Sequence, residues 1–405
     1  MNAELWKTNT PWAFWQLSPD LPPEVWLEAV RAAAGLLELA VSADGVGELL
    51  AQTLGEGRFG PDHWRLGAVS RIYYHLKPLI PRPAITMLKR LNGEVSTGQF
   101  ILGWPVEDRY VRFLWQSAAH ALTLSGQPDA AYRRFWPGGH QFSFVLTHDI
   151  ESGDGQAFAG KLADLEESLG FRSSFNFVPE RYPLDQALIA DLRSRGFEIG
   201  LHGLKHDGKL YNSRRIFMAR AAAINRYLEE LEIAGFRSPL THRHPEWLQA
   251  LHVEYDLSFF DTDPYEPLPG GTMSIWPFRL GRFIELPYTL VQDCTLIHTL
   301  RETTPQVWLD KVSFIERFGG MALLNAHPDY LKAPAAWQVY RDFLAAMQNR
   351  EGCWHALPRD AARWWKARSE TPASQPLPGA SCGRLAVENG ALSLLPHEEA
   401  AGRPI

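Results

Sequence analysis

The sequence predicts an α/β protein built around a (β/α) barrel of roughly seven parallel strands, and three observations lead to that class. From about residue 140, short apolar runs alternate with helical stretches for roughly 200 residues. Most of those helical stretches close on a glycine. No G-x-G-x-x-G loop follows any strand and no G-K-[ST] loop occurs, which weighs against a dinucleotide-binding or P-loop sheet. At 405 residues the chain exceeds one ordinary core. We divide it into a mostly helical region over 1–130, the barrel over 131–368, and a linker with tail over 369–405.

Each element has a local justification. "PPEVWLEAVRAAAGLLELA" opens on Pro22 and Pro23 and repeats Trp26, Leu27, Val30 and Leu37 near helical spacing. The glycine-punctuated "GVGELLAQTLGEGRFGPDHW" follows. "AVSRIYYHLKPLIPRPAITMLKRL" then reads as a helix, a proline-rich corner and a second helix. "DRYVRFLWQSAAHALTLSG" is again helical and ends at Gly126. In the barrel, "QFSFVLT" reads as a strand and "GQAFAGKLADLEESLG" as a helix closed by Gly170. "FRSSFNFVP", "FEIGLH", "FRSPL", "YDLSFF", "RFIELPY" and "MALLNAH" supply further strands. Between them lie "LDQALIADLRSRG", a helix ending at Gly196, and "SRRIFMARAAAINRYLEELEIAG", one ending at Gly235. "TPQVWLDKVSFIERFG" is another. "TPASQPLPGASCG" is a linker by composition, and a hairpin centred on Asn389-Gly390 follows it.

Composition removes several function classes. A net charge of −6 argues against a general nucleic-acid binder, which needs a concentrated basic surface. Cys294, Cys353 and Cys382 are odd in number and far apart, so they form neither a disulfide framework nor a Cys-rich zinc site. The start has no apolar signal-peptide core, and no run is long enough to span a membrane, so the expectation is a cytoplasmic protein. The oligomeric state is not legible. Fifteen Trp, 12 Tyr and 21 Phe suit thick cores or aromatic-walled grooves.

The polar residues carry the functional signal, because groups at the C-terminal ends of barrel strands share one mouth. His148, Asp149 and Glu151 follow the first strand, and His202 and His206 the third. Arg237, His242 and His244 follow "GF", Asp261 and Asp263 follow "YDLSFF", and His327 follows "MALLNA". One polar strand end is ordinary; five in register are hard to ascribe to solvation. If the strand stays extended past Thr147, Asp149 and Glu151 share a face while His148 and Ile150 take the other. Glu151, Ser152 and Asp154 also suit a helix cap. His202 and His206, four apart, can grip one divalent ion from a helical turn, though a loop pair is the bland alternative. Arg237 suits a carboxylate clamp or a surface ion pair. His242 and His244 read equally as a polar loop before Pro245, Asp261 as a turn residue, and Trp276 as core or as a sugar-stacking platform.

In this order, the residues resemble the polysaccharide deacetylase family, also called NodB-homology or carbohydrate esterase family 4, over roughly 140–365. The resemblance implies the distorted (β/α)7 barrel of that family. The family's Thr-Phe-Asp-Asp strand end corresponds to Thr147-His148-Asp149-Ile150-Glu151, with Asp149 as catalytic base and Glu151, displaced by one residue, as metal ligand. Its His-Ser/Thr-x-x-x-His motif corresponds to His202-Gly203-Leu204-Lys205-His206, which supplies two imidazole ligands but lacks the hydroxyl-bearing neighbour. Its Arg-x-Pro motif is carried by Arg237-Ser238-Pro239, and its Leu-x-x-x-His strand by Leu323–His327, with His327 as general acid. Asp261, His148, His242, His244 and Trp276 are the expected substrate-contacting positions. The resemblance implies one divalent ion, with zinc expected, and hydrolysis of an N-acyl group, typically N-acetyl, on a sugar or glycan of a surface-polysaccharide pathway. Two alternatives stay open: a degenerate glycan-binding or assembly protein, and a metal-dependent amidase or esterase acting on a non-sugar substrate.

Overall fold

The computed structural model describes residues 3–39, 45–61, 63–64, 98 and 100–395. The helix–corner–helix expected over 68–91 lies outside the described residues. In the N-terminal region α1 (Pro11–Trp15) precedes α2 (Pro23–Ala33), α3 (Val46–Gln52) and α4 (Arg109–Leu124). Pro23 occupies the first turn of α2, where its missing N–H costs nothing. Trp26, Ala29, Val30 and Ala33 form the buried stripe of α2, which packs on the apolar face of α4.

Two strands accompany these helices: β1 (Leu17–Ser18), between α1 and α2, and β2 (Asp129–Arg133), after α4. They belong to a small antiparallel sheet that is completed from the far end of the chain. The main sheet is built from β3 (Phe142–Ile150), β4 (Ser174–Phe177), β5 (Glu198–His202), β6 (Gly235–Arg237), β7 (Tyr255–Asp256), β8 (Phe278–Leu280), β9 (Phe283–Glu285), β10 (Met321–Ala326) and β11 (Cys353–His355). The hairpin β12 (Cys382–Glu388) and β13 (Ala391–Leu394) pairs antiparallel through β12 onto β2, so the tail strands lie in one sheet with the N-terminal strands.

The main sheet is curled and open, a half-barrel with helices on its outer side. Its order is β10-β3-β4-β5-β6-β7-β9-β8. All pairings are parallel except β8 with β9, and β11 shares one edge of β3 with β4. Parallel strands need long crossovers, which α5 (Gly153–Ser168), α6 (Gln186–Ser194) and α7 (Arg214–Glu230) supply. The short α8 (Pro245–Leu248) follows β6, and α9 (Gln306–Phe318) precedes β10. Then α10 (Pro328–Leu331), α11 (Pro334–Met347) and α12 (Pro358–Glu370) complete the outer layer. Every residue of β3, β4, β5 and β10 is buried, as expected of parallel strands covered on both faces.

Two expectations need correction. The helix read as ending at Gly235 stops at Glu230, and Glu232 takes the left-handed conformation at φ 47°. Gly235 instead opens β6, where a Cβ would overlap the ring of Tyr255 on the next strand. The run "YDLSFF" is a strand only over Tyr255–Asp256. Beyond it, a single bridge from Phe260 to Tyr288 continues the pairing. The register then places the strand ends level: Asp149 opposite Asn176, His202 opposite Arg237, and Asn325 opposite Thr147.

Candidate active site

Asp149 sits on the mouth-facing side of β3 and is 2 % exposed. Its Oδ1 accepts from Asn176 Nδ2 at 2.9 Å and Arg237 Nη1 at 3.2 Å, and its Oδ2 accepts from Asn325 Nδ2 at 3.0 Å. Burial alone would raise its pKa; the Arg237 guanidinium, then His202 and His327, hold it well below the ordinary carboxylate range instead. Asp149 is therefore an ionised acceptor at neutral pH. Arg237 is itself fixed from three sides: Nε donates to Leu257 O at 2.9 Å, while Nη1 also donates to Thr147 Oγ1 and Asn325 Oδ1 at 2.9 and 2.5 Å.

Close by, Glu151, His202 and His206 offer ligand atoms that all lie within 4.8 Å of one another. The two imidazole rings are 5.0 Å apart between centroids. His202 Nδ1 lies 3.3 Å from Arg237 O, which leaves Nε2 buried without a hydrogen-bond partner. His206 Nε2 stands 3.0 Å from Glu151 Oε1 without a hydrogen bond's alignment. Burial keeps His202 neutral by pushing it down to about 4, against the raising effect of Asp149. Two imidazoles and one carboxylate, with ring nitrogen atoms that no hydrogen bond satisfies, are a donor set that suits zinc or a similar ion.

Backbone geometry holds this set. His206 adopts φ 50°, a left-handed conformation that costs a residue with a Cβ and is kept by its surroundings. Gly203 is at φ 66°, and a Cβ there would overlap Pro239, so the hydroxyl-bearing residue of the resembling motif has no room. Gly200 likewise leaves space for the amide of Asn176, the group that donates to Asp149.

On the other side of Asp149 lies His327, directly after β10. Its Nε2 is 4.0 Å from Asp149 Oδ2, and its Nδ1 is 2.7 Å from Asp293 Oδ1. Burial would lower this imidazole, but the charge of Asp293 and the hydrogen bond to it, with Glu151 and Asp149, push it up to about 9. His327 is thus cationic at neutral pH, with one N–H directed to Asp293 and the other facing the mouth. Asp293, Cys294 and His327 also offer ligand atoms within 4.8 Å. The Asp293 oxygens, however, already accept from Cys294 N at 2.8 Å and His327 N at 2.9 Å besides the imidazole. Hydrogen bonding accounts for this second grouping; the first keeps open nitrogen atoms.

None of the five predicted contact residues belongs to this donor set, and only His242 borders it. His148 faces the opposite side of β3, where its Nε2 is 2.6 Å from Glu166 Oε1, as the alternation of a strand requires. Asp261 forms a buried ion pair with Lys311 Nζ at 2.7 Å. Trp276 is core: its ring stacks on Trp115 at 5.7 Å and its Nε1 donates to Gly319 O. His244 stacks on Trp247 at 4.3 Å. His242 lines a small cleft with Leu204, Tyr211, Pro239 and His206, and burial, with Arg243 nearby, pushes it down to about 3. Asn176, Asp293 and Asn325 were not singled out from sequence. Asn176 and Asn325 look like ordinary strand residues, and Asp293 follows no strand at all.

No family model and no curated protein matches the sequence. Among solved structures, the chain is similar to a Mycobacterium smegmatis protein assigned as a polysaccharide deacetylase, at 18 % identity over 60 % of this chain and 96 % of that one, with a TM-score of 0.48. It is similar to a second protein so assigned, from Pseudomonas aeruginosa PAO1, at 16 % identity over 59 % and 95 % of the two chains, TM-score 0.48. The Puue allantoinase aligns at 15 % identity over 57 % and 92 %, TM-score 0.45. The likeness is structural, at low identity and moderate coverage. Among the described residues, no helix is long and apolar enough to cross a membrane.

Proposed function

We propose that the protein is a metal-dependent hydrolase that removes an N-acyl group, typically N-acetyl, from a sugar or glycan. One observation carries the reading: the Asp149 carboxylate and the His327 imidazole face each other at 4.0 Å beside a donor set with open nitrogen atoms. A divalent ion, with zinc the expected one, would be held by His202, His206 and Glu151, and when bound would polarise the acyl oxygen and acidify a water.

The chain's own groups supply the proton transfers. Asp149 accepts the proton of the attacking water, with Arg237, Asn176 and Asn325 fixing its two oxygens. His327 passes its Nε2 proton to the departing nitrogen, and Asp293 stabilises the cationic form until that moment. The 4.0 Å gap leaves the two groups unbonded to each other, so a tetrahedral carbon carrying oxygen on one side and nitrogen on the other can bridge them. The same chemistry would open a non-sugar amide. The sugar rests on the sequence resemblance.

The test is acetate release from a panel of N-acetylated sugars and non-sugar amides by the zinc-loaded protein. Acetate from sugars alone supports the proposal. Release only from non-sugar amides would move the assignment, and an Asp149→Asn variant as active as wild type would overturn it.

A further inference from the structure

β3 ends at Ile150, so Glu151 is the first residue past the ladder and no neighbouring strand fixes its backbone. Its N–H instead donates to Asp329 Oδ2 at 3.1 Å, a partner from α10. The other oxygen, Asp329 Oδ1, accepts from the Ser152 hydroxyl. Ser152 Oγ in turn accepts from Gly155 N at 3.2 Å as the N-cap of α5. The hydroxyl therefore uses its proton on Asp329 and a lone pair on the helix, and both carboxylate oxygens are engaged. Gly155 completes the fit, since a Cβ there would overlap the Asp329 carboxylate. The negative charge also lies against the positive end of α5.

We propose that Asp329 is a positioning residue for ion binding, a clamp that aims Glu151 at His202 and His206. The proposal rests on the reading that Glu151 is an ion ligand. A glutamate placed one residue beyond the strand has an extra torsion and a free backbone. The clamp removes the backbone freedom, so the side chain starts from one place. Asp329 also follows His327 by two residues, so the same bonds tie the segment bearing the acid to the segment bearing the ligand.

Zinc affinity measured by competition with a chromophoric chelator tests this without reference to turnover. We expect D329A to bind zinc about 10-fold more weakly or worse, the usual effect of removing a group that orients a ligand. D329N keeps an acceptor for the Glu151 N–H and replaces the acceptor facing Ser152 with an amide N–H that donates to Ser152 Oγ instead, so the link survives reversed and the affinity stays close to wild type. G155A, which crowds the carboxylate away, weakens binding as D329A does. In the double variant E151A/D329A, affinity equals that of E151A alone, because the clamp acts only through Glu151. Zinc binding unchanged in D329A but weakened in E151A would overturn the clamp and leave Glu151 as ligand. Unchanged binding in E151A would overturn the reading beneath it. If D329A does not fold, wild-type affinity in G155A would still overturn the proposal.

Discussion

Two buried histidine–carboxylate pairs lie on neighbouring strands, and they differ in one respect. His148 on β3 meets Glu166 at 2.6 Å, and His327 after β10 meets Asp293 at 2.7 Å. Around the first pair, Tyr340 and Ser173 also donate to Glu166, each at 2.5 Å, and the whole group is sealed between sheet and helices. In the second pair the free ring nitrogen looks into the mouth, 4.0 Å from Asp149. The bond is nearly the same in both. What the second nitrogen faces decides whether the pair can hand a proton to a substrate or only hold two layers together.

Substitutions sharpen that contrast, and the largest effect belongs to the group between the pairs. Asp149→Asn should lower kcat by about 10³-fold or more while zinc stays bound, checked by acetate release beside metal analysis. His327→Gln should cost about 10²-fold in kcat and spare zinc affinity. Asp293→Asn should cost about tenfold and move the alkaline limb of the pH–rate profile. The sign follows from the raised imidazole. His327 keeps its proton up to about pH 9 and loses it above, so activity falls there. Removing the Asp293 charge lowers that limb toward neutrality; an unmoved limb would break the assignment of His327 as acid. The smallest effect on rate belongs to His148→Gln, which should leave kcat within about threefold. Its effect is on stability, about 1–2 kcal/mol by denaturant unfolding, because the buried Glu166 loses one hydrogen-bond partner while Tyr340 and Ser173 still donate to it. A large loss of kcat in that variant with stability unchanged would erase the contrast.

The fold class was legible because strand and helix periods alternate over the barrel and glycines close most of its helices. It failed locally at Gly235, where a glycine that admits the Tyr255 ring looks in sequence like a helix stop. The grouped residues Asp149, Glu151, His202, His206 and His327 were nameable because each stands just past an apolar run, where parallel strands deliver side chains to one mouth. Asp293 was not, since it precedes a short π-helical turn, Cys294–Thr299, and meets His327 only through the fold. Asn176 inside "FNF" carries no pattern, and Asp329 reads as a helix-start acid until Gly155 is seen to make room for it. Trp276 and Asp261 show the opposite case: a suggestive side chain at a strand end is claimed by the core, through Trp115 and Lys311.

The most direct test of the account is an anomalous-scattering map of zinc-soaked crystals, collected on wild type and on His206→Ala. We expect one strong peak about 2.0–2.2 Å from His202 Nε2, His206 Nε2 and a Glu151 oxygen, lost in the variant. A peak held by other residues, or none at saturating zinc, would contradict it.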